Sequence, residues 1–219
     1  MTPRILYGGT FDPVHAGHLA VAAAARDALA APVAFVPAAD PPHRAEPGAS
    51  AAQRARMLEL ATAGVPGFSV DRRELERSGP SWTVLTLAGL RAEAGPAAPL
   101  AWLIGADAFR GLPAWHRWTE LADLAHLIVV VRDGHDLDAL PEPLAAAVAG
   151  RIASSPADLR AAPAGRVLCL PMPPHPASST ALRARLRAGA DPGDWLPPAV
   201  ADYIARHGLY TGDARAPGV

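Results

Sequence analysis

The chain predicts an α/β fold, a doubly wound, mostly parallel sheet with helices on both faces, Rossmann-like in its order of elements. Three observations predict it. Short apolar runs, among them Val33 to Val36, Leu100 to Ile104 and Val167 to Leu170, are continuous rather than alternating, as in strands buried on both faces. Stretches with helical composition and caps separate these runs. Glycines, hydroxyls, histidines and an aspartate recur just after the runs, at the carboxyl ends where such sheets bind ligands.

In order, Ile5 to Tyr7 is the first strand, and it ends in Gly8-Gly9-Thr10-Phe11-Asp12-Pro13-Val14-His15-Ala16-Gly17-His18. Alanine-rich Leu19 to Ala30 is the first helix, stopped by Pro32. Val33 to Val36 is the second strand, followed by a proline-rich loop at 37–48. Ser50 and Gln53 form a capping box that opens a helix to about Ala63. Phe68 to Val70 is the third strand and Asp71 to Gly79 a charged loop. Ser81 is expected to cap a helix from Thr83 to about Glu93, with Val84, Leu87 and Leu90 on one face and Gly95-Pro96 at its end.

Leu100 to Ile104 is the fourth strand, then Gly105-Ala106-Asp107, a short helix and the tryptophan-rich loop Pro113 to Trp118. Thr119 to Ala125 is helical, His126 to Val131 is the fifth strand and Arg132-Asp133-Gly134 its exit turn. Leu137 to Ala161 reads as a helix plus loop, and Val167 to Leu170 as the sixth strand. Ser178-Ser179-Thr180 opens a helix to Ala188, closed by Gly189. Pro197-Pro198 opens the last helix and Gly208 closes it. One domain is expected over 1–211, with a frayed tail at 212–219.

Half of the 219 residues are hydrophobic and 19% are charged, which suits a packed core. Every basic residue is arginine, so no lysine is available as a compact point charge or Schiff-base nucleophile. A formal net charge of −1 argues against a general nucleic-acid binder or an acidic-membrane binder, so phosphate chemistry must rely on local charge. The single cysteine, Cys169, allows no intrachain disulfide and reads as a buried thiol. There is no signal-peptide pattern and no run long enough to span a bilayer, so the expected location is the cytoplasm. Oligomeric state stays open.

Four constellations carry chemistry. In the first, glycines let backbone amides at a helix start approach an anion, and His15 and His18 can donate to phosphate oxygens; the plainer alternative is a tight turn with capping histidines. In the second, Asp107 can accept both hydroxyls of a ribose or simply favour a helix first turn. In the third, Ser178, Ser179 and Thr180 with Arg183 one turn on form a second anion site, or a plain cap with a solvated arginine. The fourth, Pro41-Pro42-His43-Arg44, is a basic loop. No cluster of metal ligands stands out, and Asp12 reads as a turn residue.

The stretch Gly8 to His18 resembles the His-x-Gly-His nucleotidyltransferases, in the branch of the nicotinate-nucleotide and phosphopantetheine adenylyltransferases. Gly-Ala-Asp-Ala-Phe-Arg-Gly-Leu-Pro-Ala-Trp-His-Arg-Trp at 105–118 looks like the nicotinate-mononucleotide adenylyltransferase pattern. Residues 177–183 resemble the family's Ile-Ser-Ser-Thr-x-Ile-Arg, with Ala177 and Leu182 for the isoleucines, and residues 41–44 its Pro-Pro-His-Lys, with Arg44 for lysine. Arg77 to Thr83 resembles Arg-x-Gly-x-Ser-Tyr-Thr, with Trp82 for tyrosine, and Tyr203 to Tyr210 resembles a closing structural helix.

The resemblance implies a Rossmann-like nucleotidyltransferase fold and one reaction: ATP and nicotinate mononucleotide give nicotinate adenine dinucleotide and pyrophosphate, a step of NAD biosynthesis. It implies ATP binding by Gly8, Gly9, Thr10, Phe11, His15 and His18, by Gly105 and Asp107, and by Ser178, Ser179, Thr180 and Arg183. It implies that Trp115 stacks on the pyridine ring, that amides near Trp115 and Thr83 meet the ring carboxylate, and that His116, His43 and Arg44 serve the mononucleotide. His18 would meet the α-phosphate with His15 in support, and Arg183 would hold the leaving pyrophosphate. Magnesium would arrive as Mg2+ carried by ATP. A helix N-terminus disfavours an imidazolium at His18, a bound triphosphate favours it, and the phosphates should win. Phosphopantetheine adenylyltransferases share the opening motif but lack the Trp-His-Arg-Trp loop. A silent nucleotide sensor would have no need of His15, His18 and Arg183.

Overall fold

The computed structural model describes residues 1–39, 48–131 and 140–211. Among these, six strands form one wholly parallel sheet: β1 (Arg4–Gly9), β2 (Val33–Pro37), β3 (Phe68–Val70), β4 (Leu100–Gly105), β5 (His126–Val131) and β6 (Val167–Pro171). Their order is β3-β2-β1-β4-β5-β6, so the winding reverses between β1 and β4. There Tyr7 pairs with Phe35 on one side and Leu103 on the other, which brings the ends of all three strands to one rim.

The helices are α1 (Ala16–Leu29), α2 (Ala51–Thr62), α3 (Arg73–Glu76), α4 (Thr83–Ala94), α5 (Ala106–Arg110), α6 (Leu121–Leu124), α7 (Glu142–Val148), α8 (Ser179–Arg187) and α9 (Pro198–His207). Strand side chains alternate between two cores. Ile5, Phe35 and Leu103 face α1, α2, α8 and α9 through Leu29, Leu58, Leu182 and Ile204. Leu6, Trp102 and Ile104 face α4 to α7 through Leu87, Phe109, Leu121 and Leu144. Fully buried leucines such as Leu87 and Leu90 are worth ~1.5–3 kcal/mol each. Cys169 on β6 is half-buried rather than fully enclosed, and burial raises its thiol above the ordinary value.

Four local expectations are corrected. Helix α1 starts at Ala16, not Leu19, because His15 supplies the N-cap and the Ala-Gly-His turn is already helical. The charged loop after β3 contains the helical turn α3. Ser81 does not cap α4: Trp82 is the N-cap residue, and Ser81 Oγ accepts the Ala39 amide at 2.9 Å instead. Gly8 and Gly9 are strand residues, not a turn. A Cβ on Gly8 would lie 2.0 Å from the Trp102 ring, and one on Gly9 3.0 Å from the Phe11 ring. The Ser50–Gln53 capping box forms as read, with the Gln53 amide 3.3 Å from Ser50 Oγ and the Ser50 amide 2.9 Å from Gln53 Oε1. Pro41 to Arg44, the Arg132-Asp133-Gly134 turn and the tail at 212–219 lie outside the described residues.

The Gly8–Trp102 contact is testable by a double-mutant cycle. Gly8→Ala should destabilise the wild type by about 1–3 kcal/mol, the usual overpacking cost, in urea unfolding. In a Trp102→Leu background, which lacks the ring atoms that clash, the same substitution should cost clearly less.

Candidate active site

A cleft of about 1100 Å³ opens at the carboxyl ends of the strands. Every sequence-predicted site residue that the structure describes lines it. Gly8, Gly9, Thr10, Phe11, His15 and His18 come from the β1–α1 junction, Gly105 and Asp107 from the end of β4. Ser178, Ser179, Thr180 and Arg183 come from the start of α8, and Thr83, Trp115 and His116 from the wall above β4. His43 and Arg44 lie outside the described residues.

The two histidines form a stacked pair at the start of α1, with ring centroids 3.7 Å apart and planes at 30°. The His15 amide donates to His18 Nδ1 at 3.3 Å, and the His18 amide donates to the His15 carbonyl at 2.9 Å. With Nδ1 accepting, neutral His18 carries its proton on Nε2, where it is a donor. A Cβ on Gly17 would lie 3.1 Å from the His15 ring and 3.2 Å from the Ala177 carbonyl, a tight fit that would press on both neighbours. His15 is buried, and its Nδ1 has no hydrogen-bond partner among the described residues. Burial, with the charge of His175 second, pushes its pKa from 6.5 down to about 4. Phe11 takes a left-handed φ of 50°, and its ring meets His18 edge-on at 5.1 Å and Tyr7 at 5.4 Å.

Beneath this pair lies a buried charge cluster that the sequence reading did not find. Asp12 is in a turn, as expected, but it is also an anchor. Its Oδ2 accepts the Gly48 amide at 2.8 Å, and its Oδ1 accepts the Ala49 amide at 3.2 Å and the Tyr210 hydroxyl at 2.6 Å. Arg183 Nη1 donates to the Asp12 carbonyl at 2.6 Å and lies 3.6 Å from its Oδ2. Arg54, 1% exposed, donates to the carbonyls of Ala49, Thr10 and Ala39 at 3.2, 2.6 and 3.2 Å. Burial lowers its guanidinium from the ordinary value, and Asp12 opposes that shift. Arg54 sits on a capped, amphipathic helix, where an arginine ordinarily reads as solvated, so nothing in its local pattern marked it.

The hydroxyls at the start of α8 have structural work. Ser178 Oγ caps the helix by accepting the Ala181 amide at 3.2 Å, and Ser179 Oγ donates to the Pro13 carbonyl at 3.1 Å. What faces an anion there is the pair of leading amides, of Ser179 and Thr180, which have no partner among the described residues, with Thr180 and Arg183. Asp107 lies in the first turn of α5 and pairs with Arg110 at 3.1 Å, but at 82% side-chain exposure that pair is weak. The residue lies both in a helix first turn and at the lining of the cleft.

On the far wall, Trp82 stacks on His116 at 3.8 Å and 25°. Trp115 is half-buried, and its own amide is taken by the Leu112 carbonyl at 2.8 Å, so it is no donor to a ligand. The leading amides of α4, those of Thr83 and Val84, have no partner among the described residues. Trp118 packs against the second core. His175, which the sequence reading passed over, also lines the cleft, its Nδ1 accepting the Ala177 amide at 3.1 Å. Among the described residues no group of histidine, cysteine, aspartate and glutamate could hold a metal ion, and no helix is long and apolar enough to cross a membrane.

A family model described as cytidylyltransferase-like matches residues 6–185. A protein of Stenotrophomonas maltophilia (strain K279a), named a probable nicotinate-nucleotide adenylyltransferase, is 53% identical, covering 96% of this chain and 97% of its own. One of Laribacter hongkongensis (strain HLHK9) with the same name is 49% identical, covering 98% of each. Among solved structures, Plasmodium falciparum nicotinic acid mononucleotide adenylyltransferase complexed with NaAD matches with a TM-score of 0.71 at 18% identity, over 96% of this chain and 98% of that one. At that identity the match speaks for the fold.

Two stability measurements follow from this geometry. Folded His15 sits near 4 against 6.5 unfolded, so between those values the unfolded state binds more protons. Its contribution is therefore complete above pH 6.5 and is lost as pH falls toward 4, by about 2 kcal/mol between pH 7.5 and 5. His15→Asn should flatten that part of the urea-midpoint profile. Separately, Tyr210→Phe should cost about 1.5–3 kcal/mol, as for a hydrogen bond to a charged group, and Arg54→Met about 3–5 kcal/mol, because three carbonyls lose a charged donor together.

Proposed function

The chain belongs to the nicotinate-nucleotide adenylyltransferases, within the cytidylyltransferase-like family, and from that premise we propose that it moves the adenylyl group of ATP onto nicotinate mononucleotide. The products are nicotinate adenine dinucleotide and pyrophosphate, and the reaction is a step of NAD biosynthesis. The observation that carries this reading is convergence. Two helix N-termini with histidine, threonine and arginine, and a third beside an indole, open into a single cleft.

An oxygen of the mononucleotide phosphate forms a bond to the α-phosphorus of ATP while the bond from that phosphorus to the bridging oxygen of the β-phosphate breaks. The attacking phosphate is already anionic at neutral pH, so no general base is needed. The work is alignment, worth about 7–11 kcal/mol at best, and stabilisation of charge on the transferring phosphoryl. We assign the α-phosphate to His18 Nε2 and the amides at the start of α1, with neutral His15 supporting the ring of His18. The cradle is Gly8, Gly9, Thr10 and Phe11. The adenosine end lies toward Gly105 and Asp107. Arg183, held by the Asp12 carbonyl, receives the leaving pyrophosphate with Thr180 and the amides of Ser179 and Thr180. Ser178 takes part through the cap it forms.

The pyridine ring is assigned to Trp115, and its carboxylate to the amides of Thr83 and Val84, with His116 closing that end. An ATP-dependent transfer of this family calls for a divalent metal. The described side chains do not fit a resident ion: the Asp12 carboxylate is committed to Gly48, Ala49, Tyr210 and Arg183. We therefore read the ion as Mg2+ brought in on the triphosphate. One catalytic domain over 1–211 and a cytoplasmic location complete the reading; a lone cysteine and two cores on one sheet support them.

The decisive assay is pyrophosphate release with ATP and nicotinate mononucleotide, set against phosphopantetheine. Release with the first alone supports the assignment. Release with the second, or tight nucleotide binding without turnover, would favour a phosphopantetheine enzyme or a sensor. His18→Ala should lower kcat by about 10²–10³-fold, in the range of one lost transition-state donor. The unfolding midpoint should move far less than kcat, because the bond from the His15 amide to the His18 ring is long.

A further inference from the structure

Behind the wall that carries Thr83 lies a buried acid that the reaction above does not use. Glu74, on α3, is 4% exposed. Thr86 Oγ1 donates to its Oε1 at 2.5 Å, and Ser81 makes a second hydrogen bond to the carboxyl group. Ser81 Oγ is also the acceptor of the Ala39 amide, and Thr86 Oγ1 the acceptor of Arg77 Nη1 at 3.4 Å. Arg77 Nη2 reaches the Pro80 carbonyl at 3.3 Å.

Nitrogen donors from Ala39 and Arg77 each take one acceptor position on the two hydroxyls, and both hydroxyls are hydrogen-bonded to Glu74. An ionised carboxylate meets both donated protons with acceptors, whereas a carboxamide would set its NH2 against one of them. The network joins the segment after β2, α3, the 77–82 loop and the second turn of α4. Ser81 and Thr86 lie on either side of Thr83 and Val84 in the chain, so clamping them fixes the two leading amides of α4. Burial raises the carboxyl of Glu74 above the ordinary glutamate value, against the pull of Thr86, Ser81 and Arg77. Glu74 itself touches the cleft wall beside Thr83.

We propose that Glu74 is the positioning residue on which discrimination between an acidic and an amide pyridine nucleotide depends, because it holds the Thr83 and Val84 amides as a rigid pair of donors. A carboxylate presents only acceptors to that pair and gains from the helix N-terminus. A carboxamide can turn only one acceptor to it, and its NH2 meets N–H with N–H. If the pair is loosened, the penalty on the amide falls and the gain for the acid falls with it. The proposal rests on nicotinate mononucleotide being the substrate.

The test is Glu74→Gln, which keeps volume but puts an NH2 where a hydroxyl donates. Steady-state kinetics with nicotinate and with nicotinamide mononucleotide at saturating ATP should show KM for the acid up by about tenfold, KM for ATP little moved, and the acid-to-amide ratio of kcat/KM down by about tenfold. Thr86→Val breaks the same chain from the other side and should shift the ratio in the same direction, so the idea survives if Glu74→Gln fails to fold. An unchanged ratio, with both substrates losing equally, overturns the role of Glu74 while leaving the reaction intact. A wild-type protein that turns over neither mononucleotide overturns the reaction instead.

Discussion

The guanidinium of Arg54 and the carboxylate of Asp12 share a buried site under the cleft floor, and the geometry of the cleft hangs on them. A buried guanidinium with unused donors would cost several kcal/mol. Here Nε, Nη1 and Nη2 each find a carbonyl, those of Ala49, Thr10 and Ala39. Those carbonyls belong to the exit of β1, the exit of β2 and the entry to α2. One side chain thus sets the spacing of three segments that would otherwise diverge. Asp12 completes the frame from the β1 loop and reaches Tyr210, close to the end of the described chain. It also steers Arg183. Two guanidinium groups answer one carboxylate in this region, so the floor is locally positive although the chain carries a net −1.

That local surplus matters because the chain contains no lysine. Phosphate-handling clefts commonly use a lysine as a point charge, and here backbone dipoles do much of that work. Helices α1, α4, α5 and α8 all begin at the carboxyl rim of the sheet. Each N-terminus is equivalent to about half a positive charge close at hand and falls off within a turn. A parallel sheet places these ends together as a matter of topology. Switching the winding between β1 and β4 then splits the helices between the two faces and opens a gap where a dinucleotide can lie. Arg183 adds one full charge at the end where pyrophosphate would depart.

The sheet was legible because its strands are continuous apolar runs, and the site because its residues sit together at strand ends within long motifs. What stayed hidden had no local signature. Ser81 looks like a helix cap by spacing, but its hydroxyl is drawn to Ala39, forty-two residues away in the chain, and a tertiary partner outweighs a local one. Gly8 reads as a turn glycine, whereas the ring of Trp102 on the next strand is what excludes a side chain there. Ser178 and Ser179 were read as phosphate ligands by their hydroxyls, yet those hydroxyls tie α8 to itself and to Pro13, leaving the amides to face the cleft. Arg54 and Glu74 are charged residues on helices, and only long-range contacts reveal that they are buried. For Arg54 and Ser179 the sequence placed the residue correctly in its element and was silent about its partner; for Gly8, Ser81 and Glu74 the distant partner also changed the element or the role.

The stacked histidines decide how charge is shared in the proposed reaction. At 3.7 Å between centroids, two imidazolium rings would repel strongly, so the pair holds at most one proton beyond neutrality. His15 is a poor carrier: it is buried, and its pKa near 4 keeps it neutral under physiological conditions. In the free protein His18 is held as the Nε2–H tautomer, and protonating Nδ1 would set N–H against the His15 amide. The bond that this would break is long, 3.3 Å, and worth roughly 0.5–1.5 kcal/mol. A phosphate charge about 4 Å away in a site of effective dielectric 20 contributes about 4 kcal/mol in the opposite direction. On the proposed assignment of the α-phosphate to His18, nucleotide arrival would outweigh the local bond and place the proton on that ring. Burying His15 is what forces that choice, since a second ring able to titrate would divide the proton with its neighbour and dilute the charge at the α-phosphate.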